Sequence, residues 1–180
     1  SNMGNRFHLA QSERRKSRRQ FLKRAVVAGA AASAGTLIEA SRSLGQTTPR
    51  VSGFDHVAVP MQNTRAMVSF YRGLGMEVNE GTRICSVHFG EHKINLHRPE
   101  MWRNPEFTLR AQAARPPCGD FCFVWVGTAE LLVAALDRVG AEVIEGPVTR
   151  WGGRGGGTME GTSRYVRDPD GNLLEFIIYP

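Results

Sequence analysis

Apolar and polar positions change period along the chain, and each change marks an element. Residues 54–60, Phe-Asp-His-Val-Ala-Val-Pro, read as an apolar strand. From Thr64 to Leu74 the apolar positions Met67, Phe70, Tyr71 and Leu74 recur at helical spacing, and Gly75 follows as a C-terminal cap. Short strands are predicted at 76–80, 83–89 and 93–98, with Gly81 and Gly90 as turn residues. Together these make one βαβββ unit.

The pattern then repeats. Residues 120–127 read as a strand, and Leu131, Leu132, Ala135, Leu136 and Val139 share one helical face before Gly140. Strands are predicted at 141–145, 163–167 and 173–179. His56 to Gly75 spans 19 positions and Asp120 to Gly140 spans 20, so the two halves keep nearly the same step. Asp168-Pro169-Asp170-Gly171-Asn172 reads as a tight hairpin turn. A repeat of roughly 60 residues closes its own core poorly, so two units are expected to pack on a shared surface. The connector 99–119 holds Pro99, Pro105, Pro116 and Pro117 and is too broken for a strand or a long helix. It is expected to run over the outside or border the site.

Composition changes the picture mainly at the N-terminus. The chain has 180 residues, 41% of them hydrophobic, and a formal net charge of +6. Residues 1–50 carry ten Lys/Arg against two acids, +8, whereas residues 51–180 carry 13 against 15, −2. The basicity belongs to a leader, and nucleic-acid binding is not expected of the body. Ser1-Asn2 ahead of Met3 reads as a remnant of tag cleavage. Ser17-Arg18-Arg19-Gln20-Phe21-Leu22-Lys23 resembles the twin-arginine export motif, and the uncharged run 25–38 follows it. As a helix that run spans about 21 Å, a signal-peptide core rather than a stable membrane anchor. The expected organisation is a tag remnant and signal peptide at 1–45, a linker at 46–52 and a body at 53–180, the latter comprising unit one at 53–98, the connector and unit two at 120–180. Such a leader implies the twin-arginine machinery as a partner and a periplasmic or secreted protein. The three cysteines, Cys85, Cys118 and Cys122, have no zinc-type spacing. In a strand, Cys118 and Cys122 would stand about 13 Å apart, too far for a disulfide unless Cys118 lies in a turn.

The duplicated unit, Asp55-His56-Val57-Ala58-Val59, Phe70-Tyr71-Arg72-Gly73-Leu74-Gly75-Met76 and Asp168-Pro169-Asp170-Gly171-Asn172-Leu173-Leu174-Glu175 resemble the vicinal oxygen chelate superfamily of glyoxalases, bleomycin-resistance proteins and dioxygenases. Lys93-Ile94-Asn95-Leu96-His97 with Gly146-Pro147-Val148 is similar, more narrowly, to the glyoxalase domain-containing protein 5 branch. The resemblance implies an α+β fold in which two βαβββ units pair into a curved mixed β-sheet cup. It also implies one divalent transition metal (Zn, Ni, Mn, Co or Fe) and a small-molecule substrate with adjacent oxygens, with a homodimer as a further expectation. Carried over position by position, it makes His56 and Glu175 metal ligands and places Asp120 where a histidine is commoner. Asp120 can bind a metal or simply cap the strand. The fourth place falls to His97, the stronger ligand, or to Asn95, which fits the internal register better. His88 and His92 read as surface or hairpin residues.

Two chemistries follow from the resemblance. With all four ligands the site implies a glyoxalase- or lyase-type enzyme in which Glu175 loosens and moves an α-proton. With His56, His97 and Glu175 alone, it matches the two-histidine, one-carboxylate set of ferrous dioxygenases. A third reading needs no metal: a bleomycin-resistance-like binding protein using Trp102, Trp125 or Trp151 as stacking surface, each of which can equally be ordinary packing. Gly152–Gly157 reads as a flap over the site or as a surface loop, and Arg150, Arg154 and Arg164 as contacts for an anionic substrate or as solvated charges.

Overall fold

The computed structural model describes residues 50–180. The expected signal peptide and its cleavage point lie outside the described residues. Unit one runs β1 (His56–Pro60), α1 (Thr64–Gly73), β2 (Glu77–Glu80), β3 (Ile84–Phe89) and β4 (His92–His97). The connector forms a single helical turn, α2 (Pro99–Trp102), with a proline at its start. Unit two runs β5 (Asp120–Val124), α3 (Ala129–Arg138), β6 (Glu145–Gly152), β7 (Met159–Arg167) and β8 (Leu173–Ile178).

Each unit makes a four-stranded mixed sheet, ordered β1-β4-β3-β2 and β5-β8-β7-β6. In both, the first strand lies parallel to the last and the remaining pairs are antiparallel. The expected duplicated α+β architecture is therefore the observed one. Both long helices bury most of the predicted faces, Met67, Phe70 and Tyr71 of α1 and Leu132, Ala135 and Leu136 of α3, whereas Leu131, in the first turn of α3, is exposed. Thr128 caps α3 by accepting the Leu131 N–H at 3.3 Å.

Three strands of unit two differ from expectation: β5 ends at Val124 and not at 127, β7 begins at Met159 and not at 163, and β6 is displaced as a whole. The second strand of unit two occupies Glu145–Gly152 and not residues 141–145. Almost every residue of this strand is exposed, so it carries no alternation of apolar and polar positions to read, and a register shift between Glu145 and Val148 breaks its pairing. The glycine-rich stretch is the loop joining β6 to β7, with a short 3-10 turn at Arg154–Gly156.

Alternation along the strands separates two faces. Ile94, Leu96, Val87, Phe123, Leu174 and Phe176 join the helices in one core cluster drawn from both units. Burying each such side chain stabilises by about 1.5–3 kcal/mol. The intervening residues, Asn95 on β4 and Cys122 and Glu175 on β5 and β8, occupy the opposite, helix-free face.

A polar clasp binds the units together. Asp168 lies buried and accepts from the Tyr71 hydroxyl, from Asn172 Nδ2, and from the backbone N–H groups of Asp170 and Asn172. Asp170 accepts from the N–H groups of Gln62 and Asn63, just ahead of α1. The turn read from Asp168 to Asn172 is present, with Gly171 at φ +90°, a conformation that favours glycine. The connector is held by Trp102, whose Nε1 donates to the Met61 carbonyl at 2.8 Å, so this tryptophan is packing and not a stacking surface.

Candidate functional site on the helix-free sheet face

Glu175 sits at the middle of β8, half-buried, between Cys122 of β5 on one side and Tyr165 of β7 on the other. The Ser163 hydroxyl donates to its Oε1. This carboxylate has an apolar row behind it and polar neighbours beside it, which offsets the cost of withdrawing a charge from water. Cys122 is exposed at the free edge of the sheet. Partial desolvation of its thiol, together with the adjacent Glu175 carboxylate, pushes its pKa up to about 12. Tyr165 is also raised, by burial first and by the charge of Glu175, against the opposing effect of Arg150. Arg150 donates from Nε to the Tyr165 hydroxyl at 3.1 Å and lies over its ring at 5.6 Å.

The other expected ligands come from three further strands. Asp120 opens β5 and is exposed. Its position is set from the far end of the clasp, because the buried Asn172 side chain accepts the N–H groups of Cys118 and Gly119 just ahead of it, at 3.0 and 2.8 Å. His56 opens β1, exposed, with Nδ1 2.5 Å from Asp55 Oδ1. That contact lowers the Asp55 pKa.

His97 and Asn95 both face the helix-free side of β4. His97 is buried beneath Phe107 of the connector, with the rings edge to face at 5.4 Å. The connector thus borders the site at this point. Burial and the charge of Arg83 lower the His97 pKa, so its imidazole is neutral at pH 7. Asn95 pairs in register with Ala58, as Glu175 does with Cys122, so Asn95 is the true repeat counterpart of Glu175. Its Oδ1 is already taken by the Ser86 hydroxyl at 3.1 Å.

In chemistry the set fits a divalent ion: a neutral imidazole, a second histidine and two carboxylates on the first and last strands of the two sheets. In position the side chains stand apart. Among the described residues no three His, Cys, Asp or Glu side chains gather closely enough to hold an ion. His56 is turned to Asp55, His97 lies under Phe107, and Glu175 is tied through one oxygen to Ser163.

Ser163 and Tyr165 lie outside the set expected from the sequence, which raises Cys122 only as a disulfide candidate. The signal for the first two is the alternation Ser163-Arg164-Tyr165, which puts both on the face of Glu175 once β7 pairs with β8. Cys85, Cys118 and Cys122 are all free thiols. Of the arginines, Arg150 reaches Tyr165 and Arg154 lies 4.4 Å from the Tyr179 ring. Trp151 is exposed.

Comparison with known proteins agrees with this architecture. The glyoxalase domain-containing protein RDO1 of Mycosarcoma maydis is 35% identical over 130 residues, covering 72% of this chain and 69% of that protein. Virulence protein STM3117 of Salmonella typhimurium is 33% identical over 132 residues, covering 72% of this chain and 85% of its own. The crystal structure of STM3117 superposes with a TM-score of 0.63 at 32% identity, covering 73% of this chain and all of that one. A lactoylglutathione lyase from Agrobacterium tumefaciens, at 20% identity over 72% of this chain and 95% of its own, shares the fold with a TM-score of 0.54. The profile of one family covers residues 53–176, both repeats and the connector between them. By that match, by its relatives and by its paired βαβββ units, the chain belongs to the Glyoxalase/Bleomycin resistance protein/Dioxygenase superfamily.

Proposed function

We propose that this protein is an exported, glyoxalase-like enzyme that binds a small substrate with adjacent oxygens on the helix-free face and moves a proton with Glu175. The observation that carries the reading is the setting of Glu175, a half-buried carboxylate fixed through Oε1 by Ser163. Held that way, it keeps its second oxygen for a substrate proton. Tyr165 and Arg150 supply hydrogen-bonding groups and positive charge beside it, suited to an oxygen-rich substrate.

His56, His97, Asp120 and Glu175 are the residues we assign to one divalent metal. A neutral, buried His97 whose ring makes no hydrogen bond among the described residues is the better fourth donor, since the Asn95 oxygen already serves Ser86. A bound ion supplies Lewis-acid polarisation of paired substrate oxygens. The Asp55 bond to His56 Nδ1 leaves Nε2 free for the ion and orients the ring. Export by the twin-arginine route is the function we assign to the leader.

Metal analysis of the purified protein after loading with Ni, Zn, Mn and Fe tests the assignment. Near-stoichiometric metal, lost in His56→Ala and Glu175→Ala, is expected; no retention, or retention unchanged in both variants, overturns it. Turnover of the methylglyoxal–glutathione adduct by the loaded protein would identify a glyoxalase reaction. Ring cleavage of catechols under air would identify a dioxygenase instead.

A further inference from the structure

The two seams between the repeats are built differently. At one, the Asp168–Asn172 turn reaches across to the end of β1 and the start of α1, and its carboxylates are bonded there. At the other, the matching turn between β3 and β4 is only Gly90 and Glu91, and among the described residues the Glu91 side chain makes no bond to the end of β5. Space is left where the first seam is filled. A cavity of about 590 Å³ opens between Leu74–Met76, the β3–β4 turn and β5.

The wall of this cavity is aromatic. Phe89, Phe123, Trp125 and Phe176 border it, with His88 and His92 as its polar members. Phe89 meets Phe123 edge to face at 5.1 Å, and Trp125 meets Phe176 edge to face at 6.5 Å. Phe123 and Phe176 alternate with Cys122 and Glu175 along their strands, so this wall lies on the opposite side of the sheet from Glu175. Cys122 and Val124 also touch the cavity because β5 is the free edge of its sheet. The Trp125 Nε1 hydrogen is buried and has no acceptor among the described residues. That hydrogen lies against Gly127 and not on the open cavity, so the hydrogen-bonding groups offered to a ligand are the imidazoles of His88 and His92.

We propose that the seam between the β3–β4 turn and β5 is a second small-molecule site, separate from the Glu175 face, taking a planar aromatic compound that bears a hydrogen-bond acceptor. The volume falls within the range of small-ligand sites. Offset and edge-on contacts with the four rings select a flat ligand, and the imidazoles of His88 and His92 supply hydrogen-bond donors for an acceptor on its edge.

Coumarin, a flat bicyclic lactone, is a suitable probe for the full chain. In ¹⁵N-labelled protein the indole resonance of Trp125, assigned by its disappearance in Trp125→Phe, should shift saturably while those of Trp102 and Trp151 stay in place. His92→Ala removes a hydrogen-bonding group from the cavity lining and should weaken coumarin binding about fivefold. Met76→Trp adds bulk to the cavity wall and should weaken it at least tenfold, whereas Glu175→Gln, on the other face, should leave it within twofold. The proposal is overturned if coumarin fails to bind up to its solubility limit, or binds without moving Trp125. It is equally overturned if Glu175→Gln abolishes binding, or if coumarin is displaced as the chain self-associates, because a second copy then occupies the seam.

Discussion

The Tyr71 hydroxyl donates to Asp168 Oδ2 at 2.9 Å across 97 positions of sequence, and both groups are buried. It is the point where the first helix of one repeat is bonded to the closing turn of the other. A hydrogen bond to a buried carboxylate contributes about 2 kcal/mol. Tyr71→Phe keeps the ring in the core and removes only this bond. Guanidinium unfolding should show a lower midpoint with an unchanged slope, corresponding to a loss of about 2 kcal/mol.

Asp168 also makes stability depend on pH. Burial raises its pKa above the ordinary 3.8, against the lowering effect of its hydrogen bonds from Asn172, Tyr71 and the backbone. A carboxyl raised on folding holds its proton more tightly in the folded state. Its contribution is therefore complete below the unfolded value and is lost as pH rises through the folded one. Asp168→Asn has no such titration. Relative to that variant, the parent should be most favoured near pH 3.5 and progressively less favoured towards pH 7, as read by paired melting curves at each pH. The opposite trend would mean that the four hydrogen bonds outweigh burial.

The rivalry between His97 and Asn95 can be decided by comparing two variants. If His97 is the fourth donor, His97→Ala should lower metal retention as far as His56→Ala does, while Asn95→Ala should leave it close to the parent. Asn95→Ala would then act only by freeing the Ser86 hydroxyl. His97→Ala also strips the packing partner of Phe107, so its stability must be measured alongside. Metal loss greater in Asn95→Ala would instead place the ligand at the repeat counterpart of Glu175.

The fold was legible in the sequence wherever a face is buried. Helices α1 and α3 bury a continuous stripe, so Met67, Tyr71, Leu132 and Leu136 announce them by spacing alone. Strand β6 has water on nearly all its residues and no such imprint, which is why its start was misplaced. For the site, His56 and Glu175 stand in short motifs that carry the family resemblance. Ser163 and Tyr165 have no motif, since their relation to Glu175 exists only through the β7–β8 register. The turn at Asp168–Asn172 was readable as a hairpin, but its role as a clasp was not. That role depends on where Tyr71 and the end of β1 arrive in space.

Ser163 links that register to the chemistry proposed for Glu175. It is fully buried and its hydroxyl donates to Oε1, so it fixes the angle at which the carboxylate leaves the strand. Partners of this kind, one shell out from a metal, change affinity about 10–100-fold when removed. Ser163→Ala deletes one oxygen beside a half-buried carboxylate that still has Tyr165 and Cys122 as neighbours. The variant should therefore fold with a melting temperature close to the parent, yet bind its metal about 10–100-fold more weakly by competitive chelator titration. Ser163→Thr, which retains the hydroxyl, should recover most of that loss. If Ser163→Ala binds metal as the parent does, Glu175 needs no orientation from β7. If it loses stability and metal together, the bond belongs to the sheet and not to the site.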